Sequence, residues 1–538
     1  MFTEEEKKLL EEYVTSADED VFAIKNLNGV VGAVYARYSR AKGGFRKTLL
    51  KEFVKEGVLD PKHADELIQR VLIAYGDDSV GELEGTHISF ENVSMLAAKE
   101  IEDRRIGGSP IEQSTRYVFY DQKDEQGGWK YLRHESILNA SYGKEYAATM
   151  DFLFETYASL VEPMKEYFTR LLPLESAEYD INGDGKKERW SELTEEKDQK
   201  AFRTTYTVDI RTKACDTLRC LLPIGTLTNV GVFGNGRFFQ TLISHMLTSD
   251  LPELQTLAEK TSKAAQQVIP QYVRRAARSR YLAEVRTNMR ALAIELFGET
   301  GETPASVPQV TLVENADHKT SILAAALYPY SVLSLETLQK RLTTLSDEQK
   351  EKILLTAIGD RGTRRDRPGR GFESGYPLTF DLVINWGVYK DLQRHRVNTQ
   401  QRQIFSTRIG FDVPRALIDA GFEEKVRECV KRSSELFELM FKKNPEAAQY
   451  AVLHGHLIRW MIGMNAREAF HMLELRTTPQ GHPQYRIVCQ MMHKEITKRD
   501  PWLAATMNFV DHNNYDSARG DSEARQRVKE RQLEEKLQ

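Results

Sequence analysis

The chain has 538 residues, of which 41% are hydrophobic and 29% charged, and its formal net charge is −4. This length exceeds one ordinary core, so we expect at least two domains. The charge balance gives no overall attraction to nucleic acid, which is therefore an unlikely partner. No apolar stretch approaches the roughly 20 residues that span a bilayer, so we expect no membrane contact and a cytoplasmic protein.

Helical periodicity dominates the sequence from its first segment. The acidic stretch MFTEEEKKLLEEYV predicts an amphipathic helix rather than a targeting peptide. Apolar residues three and four apart predict helices over 45–74 and 421–442, and β-rich segments occur at 86–93, 308–314 and 377–385. The polar stretch 173–200 predicts an inserted loop, and the charged tail from 512 predicts a solvated helix or a disordered segment.

No metal site is predicted. Four cysteines lack a zinc-binding spacing, so we expect reduced thiols in the core. The segment from Asp180 to Gly185 opens like a calcium-binding EF-hand loop, but Ser191 stands where that loop needs a bidentate acid. An exposed turn is therefore favoured over a calcium site.

The most informative feature is an internal repeat. A basic cluster, a polar spacer and Ser-Thr-Arg occur twice, as DRRIGGSPIEQSTRYV at 103–118 and RHRVNTQQRQIFSTR at 394–408. Downstream, GNGRFFQTLISHM at 234–246 matches MNAREAFHMLELR at 464–476. Upstream, Glu82 and Glu373 stand equally far from their basic clusters (103 − 82 = 21 and 394 − 373 = 21). The pairs indicate a tandem duplication, with repeats over 1–285 and 286–511 and a tail over 512–538.

The second basic cluster has the chemistry of a nucleotide site. Arg394 and Arg396 supply planar donors suited to phosphate and pyrimidine carbonyl groups, and His395 between them should resist protonation. At ~100° per residue, Asn465 and Arg476 fall on one helical face, with His471 well round from them. Alone, the tripeptide favours a solvated basic turn; with the repeated downstream helix, it indicates a nucleotide-binding site.

A second basic segment precedes Glu373 in a Gly/Pro-rich loop. It is compatible with a grip on cofactor phosphates, with binding of single-stranded nucleic acid, or with a solvated loop, and its arginines are Arg361, Arg364, Arg365, Arg367 and Arg370.

These motifs resemble the flavin-dependent thymidylate synthase family. The family signature places Ser and x-Arg after RHR, and here nine residues separate the tripeptide from Ser406. The MNAREAFHMLELR helix, followed by Gln484, is similar to the family's NAR…LR helix and the segment after it. The first half resembles the same family through YGDDSVGE at 75–82, DRRIGGSPIEQSTRYV and LRCLLP at 218–223.

The resemblance implies an α+β fold of two tandem domains, each an antiparallel sheet with long helices. It implies FAD as cofactor, dUMP as substrate, and methylenetetrahydrofolate and NADPH as cosubstrates in a methyl transfer that makes dTMP. Because family members are homotetramers with sites between subunits, a fused chain is expected to form a homodimer, a pseudo-tetramer.

Site residues follow from the matching motifs. Arg476 and Ser114 are carried over as catalytic, with Ser114 positioning the nucleotide rather than attacking it. The flavin contacts carried over are Arg394, His395, Arg396, Asn465, His471, Glu373, Ser39 and Glu82. The nucleotide contacts are Glu112, Ser114, Arg116, Arg219, Arg394, Arg476, Ser406 and Arg408.

The two halves depart from the family pattern in different places. The first half reads Asp103-Arg104-Arg105 instead of RHR, and Met246 closes its second helix instead of Arg. In the second half, Ile404 and Tyr450 stand where the family has Glu and Arg.

This complementary loss leads to the hypothesis of one composite site. Flavin and base contacts would come from the second half and phosphate contacts from the first. The alternatives are a flavin enzyme acting on another pyrimidine nucleotide or a nucleic acid base, and a non-catalytic nucleotide-binding relative.

Overall fold

A computed structural model describes residues 2–27, 30–39, 43–55, 58–69, 81–299, 308–314, 316–363, 366, 368–515 and 518–537. The chain forms two compact units, each assembled from separate stretches of sequence. Unit 1 comprises Met1–Val93, Ala97–Glu112 and Thr228–Ala283. Unit 2 comprises Ser94–Leu96, Gln113–Leu227 and Glu284–Gln538.

The α-helices are α1 Glu4–Leu10, α2 Val31–Tyr38, α3 Phe45–Thr48, α4 Pro61–Gln69, α5 Met95–Glu102, α6 Glu135–Leu138, α7 Gly143–Leu171, α8 Glu196–Leu218, α9 Gly236–Thr248, α10 Pro252–Gln266, α11 Pro270–Val273, α12 Arg280–Phe297, α13 His318–Leu327, α14 Leu335–Thr344, α15 Asp347–Ile358, α16 Trp386–Leu392, α17 Arg415–Asp419, α18 Glu423–Phe441, α19 Pro445–Ala448, α20 Ala466–Arg476, α21 Pro483–Arg499, α22 Pro501–Ala504 and α23 Ala518–Leu537. A π-helical turn spans Leu49–Phe53, and short 3₁₀ segments include Arg219–Leu221, Arg370–Glu373 and Gln449–Ala451.

The strands are β1 Val54–Lys55, β2 Val58–Leu59, β3 Gly85–Ser94, β4 Gly108–Glu112, β5 Glu178–Tyr179, β6 Glu188–Arg189, β7 Leu227–Asn235, β8 Val310–Leu312, β9 Leu378–Asn385, β10 Thr399–Arg402 and β11 Leu457–Met464. In unit 1 they form a sheet of order β3-β7-β4, in which β4 runs antiparallel to β7. In unit 2 the order is β10-β11-β9-β8, with antiparallel neighbours. Antiparallel sheets with many helices make the fold α+β, as predicted.

Continuous apolar runs explain the central strands of unit 2. Nearly every residue of β9 (LTFDLVIN) and β11 (LIRWMIGM) is buried, so both faces of the sheet are covered. The long helices α7, α8 and α18 belong to the same unit, and α7 packs against both α8 and α18.

The internal repeat is visible as repeated local structure. Strand β7 leads through Asn235 into α9, and β11 leads through Asn465 into α20, so the two motifs lie 230 residues apart (465 − 235 = 230). In each, the asparagine Oδ1 accepts a hydrogen bond from the third residue of the helix, at Phe238 N and Glu468 N. An asparagine at this position satisfies a free amide of the first helical turn.

The same spacing relates two segments that hydrogen-bond to each other inside unit 2. Ile224 N donates to Val452 O at 2.7 Å, and His454 N donates to Leu222 O at 2.9 Å. Since 224 and 454, like 222 and 452, differ by 230, the contact is reciprocal. Equivalent pieces of the two repeats thus meet in the self-complementary way that characterises a two-fold interface.

Most of the predicted strands and helices are confirmed, and one predicted helix is wrong. The strands expected at 86–93, 308–314 and 377–385 are β3, β8 and β9, and the helix expected at 421–442 is α18. The continuous helix expected over 45–74 is wrong: α3 and a π-turn end at the β1–β2 hairpin before α4 begins, and 56–57 and 70–74 lie outside the described residues.

The stretch 173–200 is more ordered than an inserted loop. It contains the β5–β6 hairpin and the first turn of α8. The carboxylate of Asp180 in that hairpin accepts hydrogen bonds from Gly183 N and Gly185 N, which is the predicted turn.

The tail forms a helix, but one side of it is buried. Ala524 of α23 is 1% exposed and packs with Tyr179 and Phe202. The small residues at 520 and 524 permit this approach, since a Cβ at Gly520 would lie 2.2 Å from the Tyr179 ring. The fully solvated helix expected from composition is therefore corrected to a docked one.

All four cysteines are free and buried, as predicted. Burial raises the pKa of the Cys215 and Cys489 thiols to about 12, so both remain protonated at neutral pH. No helix among the described residues is long and apolar enough to cross a bilayer.

Candidate functional site

The register of the second sheet places the predicted basic cluster beside the predicted helix. Strand β10 begins at Thr399, opposite Gly463 near the end of β11. The Arg394-His395-Arg396 segment immediately precedes β10, and α20 begins immediately after β11. Both segments therefore lie at the same end of β11.

His395 lies at the centre of a hydrogen-bonded chain of three side chains, Glu468, His395 and Arg476, which we call the relay. Its ring, 4% exposed as a residue, approaches Glu468 with Nδ1 at 2.9 Å from Oε1. On the other side, Arg476 Nε donates to His395 Nε2 at 2.8 Å. The guanidinium can only donate and the carboxylate accepts, so the ring is neutral with its hydrogen on Nδ1.

Electrostatics favour the same protonation states. Burial lowers the pKa of His395, and the charge of Arg476 lowers it further against the opposing effect of Glu468. Burial alone would raise the pKa of Glu468, but its hydrogen bond with His395 holds that pKa below the ordinary value. The relay is therefore a carboxylate, a neutral imidazole and a guanidinium. The predicted resistance of His395 to protonation agrees, although its largest cause is burial rather than the flanking arginines.

The flanking residues differ in exposure and use. Arg394 and Arg396 are exposed on either side of the buried His395. His471, 62% exposed, lies with Nδ1 3.3 Å from Glu468 Oε2 and its ring centroid 5.2 Å from that of His395. Asn465 serves as the N-cap of α20 through its Oδ1.

Potential metal donors meet at this point. One donor atom each of His395, Glu468 and His471 lies within 4.8 Å of the others, a grouping that the sequence analysis did not predict. A metal on His395 Nδ1 would force the ring hydrogen onto Nε2, toward the donating Arg476. This guanidinium therefore opposes a cation and favours an anionic or neutral ligand.

A second group of charges, also within unit 2, combines residues from both repeats. Arg116 Nε and Nη2 each donate to Asp216 at 2.8 Å, a bidentate pair. Arg219 Nη1 donates to Asp391 Oδ2 at 3.0 Å. The Arg219 side chain is 3% exposed and that of Asp391 is 20% exposed. Because Asp391 lies on α16 just before the Arg394 cluster, Arg219 of the first repeat contacts the element that carries this cluster.

His482 completes the second group. Its Nδ1 accepts from Gln484 N at 3.2 Å, so a neutral ring carries its hydrogen on Nε2, 3.4 Å from the carbonyl oxygen of Asp216. Burial and the charge of Arg219 lower the pKa of His482 to about 4, so it is neutral near pH 7. Burial opposes ionisation of Asp216 and Asp391, but the neighbouring histidine and arginines hold both pKa values below the ordinary range.

Tyr485 lies between the two groups. Its ring centroid is 5.6 Å from the Arg476 guanidinium carbon and 6.2 Å from the His482 ring centroid. The His395 relay and the Arg116–Arg219 group are thus neighbours along the first turn of α21.

Other predicted residues have partners of their own. Arg408 forms a bidentate pair with Glu438 at 2.7 and 2.9 Å on the exposed side of α18. Ser114 accepts from Arg116 N at 3.2 Å, and Ser406 is half-buried in the segment after β10.

Three predicted residues, Ser39, Glu82 and Glu112, belong to unit 1. Ser39 ends α2 and bonds Ala36 O, and Glu82 pairs with Arg237. Glu112 is buried with Nζ of Lys99 3.0 Å from its Oε2.

The segment preceding β9 is partly described. Exposed Glu373 accepts from Thr399 Oγ1 at 3.0 Å, and Arg370 Nη1 lies 3.5 Å from Gln400 O. Arg361 Nε donates to Asp366 O. Arg364, Arg365 and Arg367 of this loop lie outside the described residues.

Structural equivalence corrects two of the matches between the repeats. The 3₁₀ segments Arg219–Leu221 and Gln449–Ala451 are 230 residues apart in sequence, which is the spacing that relates the two repeats. Gln449, not Tyr450, therefore occupies the position of Arg219 in the second repeat. Glu112 lies opposite Val230 and Arg402 opposite Trp460, so Arg402, not Ile404, replaces Glu112. Arg402 Nη1 and Gln449 Oε1 are hydrogen-bonded at 3.2 Å.

Sequence reasoning missed the residues that neutralise the arginines. Glu468 has the signature of an acid in a first helical turn, and only its separation of three residues from His471 hinted at a shared partner. Asp216, Asp391 and His482 carry no local signal, because their partners lie far away in sequence.

Comparisons with known proteins agree with the duplicated pattern. The family model described as thymidylate synthase complementing protein matches residues 30–271 and 311–502. A UPF0159 protein of Chlamydia pneumoniae is 37% identical over 97% of this chain and 98% of its own. A UPF0159 protein of Thermoplasma acidophilum is 32% identical over 93% of this chain and 98% of its own.

Proposed function

Because the chain belongs to the family of the thymidylate synthase complementing protein and matches it twice, we propose that it is a flavin-dependent thymidylate synthase-like methyltransferase. The reaction converts dUMP to dTMP: the pyrimidine C5 loses its hydrogen and gains a methyl group. The carbon comes from methylenetetrahydrofolate, and NADPH supplies two electrons. The observation that supports this proposal best is the buried Glu468–His395–Arg476 relay between two exposed arginines.

The residues present fit FAD. When bound, FAD would pass the electrons from NADPH to the substrate. Exposed Arg394 and Arg396 offer planar donors to its diphosphate, and neutral His395 places an uncharged aromatic ring between them. Arg476, which donates a hydrogen bond to His395, would stabilise negative charge on the pyrimidine ring.

The nucleotide site would be composite. We assign the nucleotide phosphate to Arg116 and Arg219, with Ser114 positioning the ligand, and the base to Arg476. All four belong to unit 2, and the Arg219–Asp391 contact joins the phosphate side to the helix preceding Arg394. This arrangement supports one site per chain, with parts from both repeats.

The equivalent positions in the first repeat support a single site. Arg104, Phe238 and Met246 stand where the second repeat has His395, Glu468 and Arg476. Phe238 and Met246 are apolar and cannot replace the carboxylate and the guanidinium of the relay. The first repeat therefore lacks the arginine that we assign to the pyrimidine.

The direct test measures bound flavin and dTMP formation by the purified full chain. The mixture contains dUMP, methylenetetrahydrofolate, FAD and NADPH. We expect His395→Asn to lose flavin and at least about a hundredfold in rate, since it removes a buried hydrogen-bonding ring from the site. Arg427→Gln is the matched control, because its exposed pair with Glu423 on α18 lies outside the relay and outside every assigned contact.

Two outcomes would refute parts of the proposal. A wild-type chain that binds flavin but fails to rescue a thymidine-requiring bacterium lacking its own synthase would refute dUMP methylation. Unchanged dUMP affinity in Arg116→Ala would refute the composite site.

The paired state of both phosphate-side arginines favours a second candidate, a flavin enzyme that acts on another pyrimidine nucleotide or a nucleic acid base. Flavin binding without rescue would support it, whereas the absence of flavin would support a non-catalytic nucleotide-binding relative. We also propose a homodimer, which sedimentation equilibrium would distinguish from a monomer.

A further inference from the structure

The arginines assigned to the nucleotide phosphate already hold carboxylates. Arg116 grips both oxygens of Asp216, and Arg219 holds Asp391. The side chains of the first pair are 13% and 14% exposed, so neither charge is shielded well by solvent.

The net charge of this group is zero. Two guanidiniums balance two carboxylates, and His482 is neutral near pH 7 because burial lowers its pKa to about 4. Arg519 interacts electrostatically with Arg116 and supplies one further positive charge near the group. A phosphate monoester dianion added to the intact group would therefore still leave one uncompensated negative charge in a buried region, which is unfavourable. A phosphate can therefore bind here only by replacing carboxylates.

Asp391 is the carboxylate that is easier to replace. Asp216 has a bidentate partner, whereas the hydrogen bond between Asp391 and Arg219 uses one nitrogen of the guanidinium. The other terminal nitrogen of Arg219, Nη2, is buried and makes no hydrogen bond among the described residues. A phosphate could engage both nitrogens, a stronger geometry than the single contact it would displace.

We propose that Asp391 determines specificity at this site by competing with the nucleotide phosphate for Arg219. The carboxylate lowers the affinity for a nucleoside monophosphate relative to the same nucleoside without phosphate. This inference rests on the proposed assignment of the phosphate to Arg116 and Arg219.

The test replaces Asp391 by asparagine in the full chain and measures the Kd of dUMP and of deoxyuridine by titration calorimetry. We expect Asp391→Asn to bind dUMP at least about tenfold more tightly than wild type, with deoxyuridine unchanged. Adding Arg219→Gln should abolish the gain. Asp419→Asn, which removes a carboxylate from an exposed pair with Arg415, should leave both affinities at wild-type values.

The proposal is overturned if Asp391→Asn binds dUMP no more tightly than wild type, or if deoxyuridine gains equally. If Asp391→Asn does not fold, Asp391→Ser gives the same comparison with a smaller side chain. Loss or absence of dTMP formation bears on the proposed reaction alone, because the ratio of the two dissociation constants is measured without turnover.

Discussion

Acidification should weaken unit 2 because His482 must remain neutral in the folded state. Its pKa is about 4 when folded, compared with 6.5 for an ordinary histidine. Below pH 6.5 the unfolded chain takes up a proton that the folded chain does not, so stability is lost as pH falls toward 4. At pH 5 this single group accounts for about 2 kcal/mol, and below pH 4 for about 3 kcal/mol.

The variant His482→Asn isolates this contribution. Asparagine is a good helix N-cap, so it can replace the ring nitrogen that accepts from Gln484 N, but it does not titrate. We expect the variant to lose about 2 kcal/mol less than wild type between pH 7 and pH 5. The buried His456, whose pKa is about 3, titrates in both proteins and cancels in the comparison.

Urea unfolding followed by tryptophan fluorescence measures this difference in the relevant unit. All five tryptophans of the chain lie in unit 2, at 129, 190, 386, 460 and 502. The control is His134→Asn, a histidine that also caps a helix through Nδ1 but lies at the surface. Equal losses for wild type and His482→Asn between pH 7 and pH 5 would refute the reasoning.

Two further substitutions test the relay and the repeated strand–helix motif. Glu468→Gln should lower the unfolding free energy of unit 2 by about 2 kcal/mol, because it removes a charge-assisted hydrogen bond to His395; an unchanged urea midpoint would contradict this. Gly236→Ala should destabilise α9 by about 2 kcal/mol or more, since its Cβ would lie 2.4 Å from Tyr272 Cβ. Hydrogen exchange of residues 236–248 measures it, and Gly44→Ala, which meets nothing within 4 Å, is the control.

The parts of the fold that could be predicted are those with local signals. The motif order revealed the duplication, and the β-rich composition of 377–385 predicted β9. The helix expected over 45–74 failed because its apolar spacing continues through Val54 and Val58, whereas Val54 pairs with Leu59 and Val58 with Lys55 in a hairpin. Periodicity cannot distinguish such a short interruption from one long helix.

The site was predictable only on its basic side. RHR and the NAR…LR helix identified His395 and Arg476, and β10 pairing explains why they meet. The helical-wheel argument placed His471 away from this face, but Glu468 links its ring to His395 all the same. The neutralising acids depend on tertiary contacts across more than 70 residues, which no spacing rule reports.

A duplicated chain can divide one site between its copies only if equivalent segments meet. Here the reciprocal hydrogen bonds around residues 222–224 and 452–454 provide that meeting inside unit 2. Arg219 of the first repeat donates a hydrogen bond to Asp391 of the second repeat. The equivalent residue of the second repeat, Gln449, instead accepts a hydrogen bond from Arg402 of the same repeat. A symmetric pair of subunits would make both contacts alike. In the composite site that we propose, replacement of the guanidinium by an uncharged amide in one copy leaves the phosphate-binding arginines to the first repeat and the His395 relay to the second.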